Sequence, residues 1–397
     1  MQGNERLMHI SHTDVRADSR ILKEVNALHT AALGRLIAVG LGGAGGAPVS
    51  GTPSKVDFIA LDSLARRLKR NRWIPGSVRN AIGLVHASYH MLRVGVRERP
   101  SVVHCHDVVY LHVGVLLKLL FRSKVVYDAH ELESAKNGIS RRLSSAVSVT
   151  ERLLWPMVDH LVSVSPAILD WYRDNRGPKP STLVLNAPSC SEVHPRRTVK
   201  SRYFHERFTI PPDRKIFIYI GLMCHGRGIK QLLEVFSQPS THSHLVLMGY
   251  GDTVGVADHA RRFPNIHIHP AVPHDQVVDF VREADVGLCL IENVSLSDYL
   301  CLPNKLFEYA FAGVPVLASR LPEIVKVVNR YDLGICCDND VESIKFAVWK
   351  IEQDGLEKPQ GDLSELSWET QAKRLQDAYR VLLGDGARLA PNSKGND

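Results

Sequence analysis

Apolar, strand-like runs alternate with amphipathic helical patterns along nearly the whole of this chain, and the series occurs twice. The first set of runs is LMHIS, RLIAVGL, KVDFIAL, VVHCH, KVVYDAH, HLVSVS and STLVLN; the second is KIFIYIG, HLVLMG, NIHIHPAV, DVGLCLI, VPVLAS and LGICCD. Between them lie helix patterns such as Ser19–Ala32, where Ile21, Leu22, Val25 and Leu28 mark one apolar face. This alternation is the pattern of β-α-β units wound around parallel sheets, so the expected class is α/β.

A chain of 397 residues is too long for one ordinary core and suits two domains. The stretch NAPSCSEVHPRRTVK, at Asn186–Lys200, is polar, proline-bearing and aperiodic, and reads as the linker. The expected division is 1–190 and 191–385, with the last residues, 386–397, as a disordered tail. Two doubly wound domains in tandem would face each other across a cleft at the carboxyl ends of their strands, where such sheets bind ligands. A dinucleotide G-x-G-x-x-G fingerprint is absent from both halves.

Charge is unevenly divided. Residues 1–200 hold 28 Lys and Arg against 16 Asp and Glu, whereas 201–397 hold 21 against 26. A basic first half suits an anionic partner, and the run ARRLKRNRW at Ala65–Trp73 fits a membrane-surface segment. The N-terminus has no apolar core of a signal peptide, and the longest apolar stretch, Val108–Phe121, is short and interrupted by His112 and Lys118. Any membrane contact is therefore expected to be peripheral. Seven cysteines without a C-x-x-C pair argue against a disulfide framework and for a reducing compartment, so the expected location is cytoplasmic, at the inner face of the plasma membrane.

Several loops following the strand runs could carry chemistry. PNKLFEY, Pro303–Tyr309, predicts a short helix with Asn304, Lys305 and Glu308 on one side and Leu306, Phe307, Ala310 and Phe311 on the other, ended by Gly313 and Pro315. YIGLMCHGRGIKQLLEVF predicts a strand, a loop with Gly226, Arg227 and Gly228, and a helix; an Arg at a glycine-rich helix N-terminus suits phosphate. MGYGD at Met248–Asp252 and GGAGGAP at Gly42–Pro48 are weaker glycine loops. In the first half, VVHCHD places His104, His106 and Asp107 at one strand end, and KVVYDAHELE places Asp128, His130 and Glu131 at another. Such histidines can bind hydroxyls or move protons. His104, His106, Asp128 and His130 also form a set that a metal could use, but no second group of carboxylates accompanies them and no metal is expected.

Together, HTDVRADSRILKE, VVHCHD, YDAHELE, the RG loop and PNKLFEYAFAGVPVLAS resemble the retaining glycosyltransferases of family four, also called group 1, over about Leu7 to Arg380. The resemblance implies the GT-B fold, two Rossmann-like domains facing a cleft, with the acceptor held by the N-terminal domain and a nucleotide-sugar by the C-terminal one. It places Glu308 on the ribose of the donor, Arg227 on its diphosphate with Lys305 assisting, and the backbone of Ala271–Pro273, centred on Val272, at the base edge. His130 falls beside the transferring sugar. Gly226, Gly228 and Asn304 complete the implied donor set. Two positions depart from the family: Leu300 stands where the first motif glutamate would be, and Leu222 where many members have an arginine. DVRADSR replaces the glycine-rich loop after the first strand, making Asp18 and Arg20, with His106, candidates for acceptor or phosphate contacts.

The expected function is transfer of a sugar from a nucleotide-diphosphate donor to a lipid-linked or surface-glycan acceptor, without metal or other cofactor. The expected partners are that donor, that acceptor and an anionic membrane surface; nucleic acid is not among them. The alternatives are a sugar-nucleotide epimerase of the same architecture and a non-catalytic nucleotide-sugar-binding scaffold.

Overall fold

The computed structural model describes residues 5–42, 56–69, 73–189, 201–251 and 254–384. The chain divides into two compact units. The first comprises Met1–Ser134, Ile139–Val184 and Gln371–Asp397, and the second comprises Ala135–Gly138 and Leu185–Thr370. The chain thus passes between units at Val184/Leu185, and its last helix belongs with the first unit, which a division of the sequence into consecutive halves does not reach. Most of the expected linker, the GGAGGAP loop, residues 70–72 of the basic run and the expected tail lie outside the described residues.

The first unit is built on a seven-stranded sheet of β1 (Arg6–Ile10), β2 (Arg35–Leu41), β3 (Asp57–Leu61), β4 (Val102–His106), β5 (Lys124–Ala129), β6 (His160–Ser163) and β7 (Ser181–Leu183). Its order is β3-β2-β1-β4-β5-β6-β7 and every pairing is parallel. The order reverses direction at β1 and β4, the switch point at which doubly wound sheets open a crevice. The register sets His9 of β1 opposite His104 of β4, and His106 of β4 opposite Asp128 of β5, so polar side chains meet at one place in an otherwise apolar sheet.

The second unit repeats the plan with β8 (Ile216–Met223), β9 (His244–Gly251), β10 (Ile266–Pro270), β11 (Val286–Cys289), β12 (Val316–Ser319) and β13 (Gly334–Cys337), again all parallel, in the order β10-β9-β8-β11-β12-β13. Phe217, Tyr219 and Leu288 of this sheet are buried against Leu232 and Phe236 of the helix Ile229–Phe236 and Ile344 and Val348 of the helix Val341–Asp354. Truncating one such aromatic would cost about 3–5 kcal/mol, through lost burial and the cavity left behind. The sheet is all-parallel and covered on both faces, as the alternation of the sequence requires. The two Rossmann-like units are those of the expected GT-B fold class.

Candidate active site

In the second unit the candidate residues gather at the carboxyl ends of β8 and β11. After β8 the chain turns through Gly226 and Gly228, at φ of +85° and +69°, and enters the helix Ile229–Phe236. A side chain at Gly228 would meet the Cβ of Leu290 at 2.7 Å and its carbonyl at 2.9 Å, so close packing as well as left-handed backbone demands glycine here. The Gly228 N–H donates to Glu292 Oε1 at 3.1 Å, and Glu292 N–H donates to the Gly226 carbonyl at 3.0 Å. A carboxylate therefore already occupies part of the helix N-terminus that the sequence suggested was open to phosphate. Arg227 is tied as well: its Nη1 donates to Asp298 Oδ1 at 2.8 Å, while Asp298 Oδ2 accepts from Ser295 Oγ. This fixes the guanidinium at the mouth of the loop, about one-third exposed at 29%.

The helix Asn304–Ala312 forms as its sequence predicts, starting after Pro303 and stopping at Gly313 in the left-handed conformation. Its buried Tyr309 hydroxyl lies within hydrogen-bond distance of the carbonyls of Ile218 and Leu288 and of the N–H of Ile220, binding the helix to β8 and β11. That staple orients Lys305 and Glu308 one turn apart. The Lys305 Nζ stands 3.7 Å from the centre of the Tyr219 ring, and forms no ion pair among the described residues. Burial lowers its pKa to about 8, since an ammonium stripped of water favours its neutral form. Glu308 Oε1 is 3.8 Å from Nε2 of His274, which follows the loop containing Val272, so the expected ribose carboxylate and base-reading loop are neighbours. Asn304 is exposed in the first turn of its helix, and Leu222 on β8 is exposed at 43%. A cavity of about 1060 Å³ in this unit is lined by Lys215, Asp285 and Pro315, at the amino ends of the strands and away from this chemistry.

In the first unit the strand ends converge on Asp128. Its carboxylate receives Arg20 through Nε (3.0 Å) and Nη2 (2.8 Å), and His130 Nε2 at 2.9 Å. His106 Nδ1 is 3.2 Å from His130 Nε2, and His106 Nε2 is 3.0 Å from His9 Nδ1; His9, His104 and His106 are fully buried and stacked. The Tyr379 hydroxyl meets His104 Nδ1 at 2.8 Å. Burial works against ionisation of Asp128, but Arg20 and His130 outweigh it and hold its pKa well below the usual carboxylate range. Burial likewise opposes the His130 cation, yet Asp128 and Asp107 raise its pKa to about 9. Burial pushes His104 down to about 3 and, with the repulsion of Asp128, pushes Glu24 well up.

At neutral pH the Arg20 and His130 cations thus face the Asp128 and Asp107 carboxylates, while His9, His104 and His106, all pushed down by burial, are neutral. Asp107 Oδ1 is 3.6 Å from His130 Nδ1, and Asp107 holds φ at +60°, a strained value for a non-glycine residue. His9, Glu24, His104 and His106, and separately His106, Asp128 and His130, are close enough to hold a metal ion. Arg20 already faces Glu24 in the first set, and Arg20 and His130 already face Asp128 in the second.

Three of the sequence candidates already have protein partners. Asp18 is the N-cap of the helix Ser19–Thr30: Oδ1 accepts from the N–H groups of Arg20 and Ile21, and Oδ2 from Thr13 Oγ1, so its oxygens close the helix rather than meet a ligand. Arg20 is 4% exposed and committed to Asp128, Glu24 and the Val184 carbonyl. His106 is buried behind His130, which alone of that pair reaches the surface. Sequence reasoning missed Asp298, Glu292, Tyr219 and His9. Asp298 lies shortly before the PNKLFEY helix, but its pairing with Arg227 spans 71 residues and leaves no local signal.

Residues 214–354 match the glycosyl transferases group 1 model and residues 29–188 the glycosyl transferase 4-like domain, together about three-quarters of the chain. Glycogen synthase of Mycobacterium tuberculosis is 22% identical over 285 residues, 68% of this chain; the chain spans 65% of that protein's length. Sucrose-phosphate synthase from Thermosynechococcus elongatus superposes with a TM-score of 0.70 at 16% identity, covering 97% of this chain and 98% of that one. Anabaena Alr3699/HepE, solved with UDP-glucose, gives a TM-score of 0.65 at 11% identity, covering 96% and 97%.

Proposed function

We propose that this glycosyltransferase of GT-B fold moves a sugar from a nucleotide-diphosphate donor, with retention of anomeric configuration and without a metal ion, to a lipid-linked or surface-glycan acceptor at the cytoplasmic face of a membrane. The observation that carries the donor assignment is Lys305. Its ammonium is held on the Tyr219 ring, partly stripped of water and without an ion pair among the described residues, one helical turn from Glu308, whose charge only partly offsets the cost of burial. A cation so placed gains most when an anion arrives, and a diphosphate leaving group develops its charge as the glycosidic bond breaks.

Arg227, fixed by Asp298 at the Gly226–Gly228 loop, supplies the remaining positive charge. Glu308 accepts the two ribose hydroxyls, and the backbone near Val272 reads the base. The His130 imidazolium, its Nε2–H held by Asp128, keeps its Nδ1–H, 3.6 Å from Asp107, to donate to a sugar hydroxyl. The UDP-glucose bound by HepE supports a nucleotide-sugar as the donor class. The exposed Leu222, at a position where an arginine would share the phosphates, favours a second reading: nucleotide-sugar binding without turnover.

Thermal unfolding with UDP, GDP, ADP, CMP and their sugar conjugates, in EDTA and again with magnesium, tests the proposal. A ligand at 100 times its Kd adds about 2.7 kcal/mol of native stability. One nucleotide class should raise the midpoint in EDTA, and Glu308→Ala and Arg227→Ala should each weaken the shift and reduce sugar transfer by orders of magnitude. Transfer retained in both variants would overturn the site assignment; a shift without transfer to any glycan or lipid acceptor would select the second reading.

A further inference from the structure

Three neighbouring helices of the first unit, Gly76–Glu98, Leu111–Phe121 and Arg141–Leu154, each turn an apolar stripe to solvent. On the first, Val78, Ile82, Val85, Tyr89 and Val96 are exposed and recur at intervals of three, four and seven residues. The second exposes Leu116, Leu119 and Leu120, and the third exposes Leu143, Val149 and Leu153. The opposite side of the first helix packs inward, through Ala87, Met91 and Gly95, and the second packs inward through Val113 and Leu117. A helix needs one apolar stripe to join a core; a second one facing water is a binding surface. Trp73, 93% exposed, stands just before the first of these helices, a residue type suited to a bilayer interface.

Charge identifies the occupant. The acidic residues of the three helices, Glu98 and Glu151, are both buried, at 6% and 0% exposure. Arg93, Arg97, Arg141, Arg142 and Arg152 are exposed on the same helices. Two of these break a local rule: Arg141 and Arg142 open a helix, where the dipole favours anions. Two more arginines, Arg99 and Arg122, end the other helices at φ of +47° and +62°, positions that ordinarily take glycine. At Arg141 and Arg142 the positive charge works against the helix dipole, so it adds to the surface potential of this face rather than to the helix. A second copy of this chain docked symmetrically on this face would set arginine against arginine. An anionic phospholipid surface accepts both the leucines and the arginines.

We propose that the outer face of these three helices is a docking surface for an anionic bilayer. The inference rests on the membrane-borne acceptor of the proposed function, and it names the face that meets the membrane. The test is flotation of the full chain with vesicles of phosphatidylglycerol and phosphatidylcholine, against phosphatidylcholine alone. The protein should float with the anionic vesicles, less so at high salt. Arg141→Gln with Arg142→Gln should weaken binding about 30-fold, and Leu119→Asn with Leu120→Asn should abolish flotation, while the nucleotide-induced rise in melting temperature stays unchanged in both. Undiminished flotation of both variants would overturn this face as the docking surface, without touching the transferase reading. Absence of flotation in the wild-type chain, or a wild-type dimer by gel filtration that Leu119→Asn with Leu120→Asn converts to monomer, would also overturn it. Loss of the nucleotide shift with flotation intact would instead count against the donor site alone.

Discussion

Replacing Lys305 by Met should move stability and ligand affinity in opposite directions. The fall of the Lys305 pKa from 10.5 to about 8 corresponds to about 3 kcal/mol by which the folded protein disfavours the charged form at neutral pH. Contact with the Tyr219 ring returns roughly 0.5–2 kcal/mol of that. The net cost of keeping an ammonium here is therefore about 1–3 kcal/mol. Met retains the unbranched apolar stem and removes the charge, so Lys305→Met should stabilise the free protein by that amount. A unit of this size gains about 2–4 °C in Tm per kcal/mol. Because the folded value lies below the unfolded one, the cost is full below pH 8 and disappears as pH rises towards 10.5. The advantage of the variant should shrink accordingly between pH 7 and pH 10. Binding should go the other way: a lost charge-assisted contact of about 1.5–3 kcal/mol weakens the nucleotide diphosphate roughly 10- to 150-fold. Calorimetric melting without ligand at both pH values, with titration of the diphosphate at pH 7, reads both signs. A variant that melts lower than the wild type while binding as tightly would refute the reasoning.

Asp128→Asn should cost about 3–5 kcal/mol by urea denaturation, because it leaves the buried Arg20 without its bidentate partner. It should also flatten the alkaline limb of the stability profile: His130, raised to about 9, contributes fully below pH 6.5, and that contribution is lost as pH rises from 6.5 through 9. A wild-type protein equally stable at pH 6.5 and pH 9.5 would contradict this. On the acid side, His104, depressed to about 3, should make the wild type lose stability as pH falls below 6.5. Gly228→Ala introduces a Cβ 2.7 Å from Leu290 at positive φ, and should lower stability by about 1–3 kcal/mol and weaken nucleotide binding, as melting and titration would show.

Each of the thirteen strands among the described residues matches an apolar run in the sequence, most plainly the central ones such as β1, β4 and β8, where burial on both faces leaves consecutive apolar residues. The helix carrying Lys305 and Glu308 was equally plain, bounded by Pro303 and Gly313. What the sequence did not disclose were partnerships across long separations. Asp18 and Arg20 looked like free polar groups at the start of a helix, yet one caps it and the other reaches Asp128, 108 residues away. Glu292, which meets the Gly228 N–H, comes from a different strand end, 64 residues away. Periodicity reports which way a side chain faces; it is silent on which other element it will find there.

The return of the last helix to the first unit has a consequence for how this protein is made. Tyr379, buried against His104, and Gln376, whose Nε2 donates to the Ala27 carbonyl at 2.9 Å, are supplied from beyond the entire second unit. At 5–20 residues per second, a ribosome that has finished Val184 needs roughly 10–40 s more to reach Gln371. Throughout that interval the first sheet is complete in strands but lacks the helix that covers His104, and the second unit can fold before the first has closed. A fragment stopped at the boundary between units would hold the nascent chain in that open state permanently, so the first unit should be poorly soluble when expressed as residues 1–184 and recover when 371–384 are joined to it.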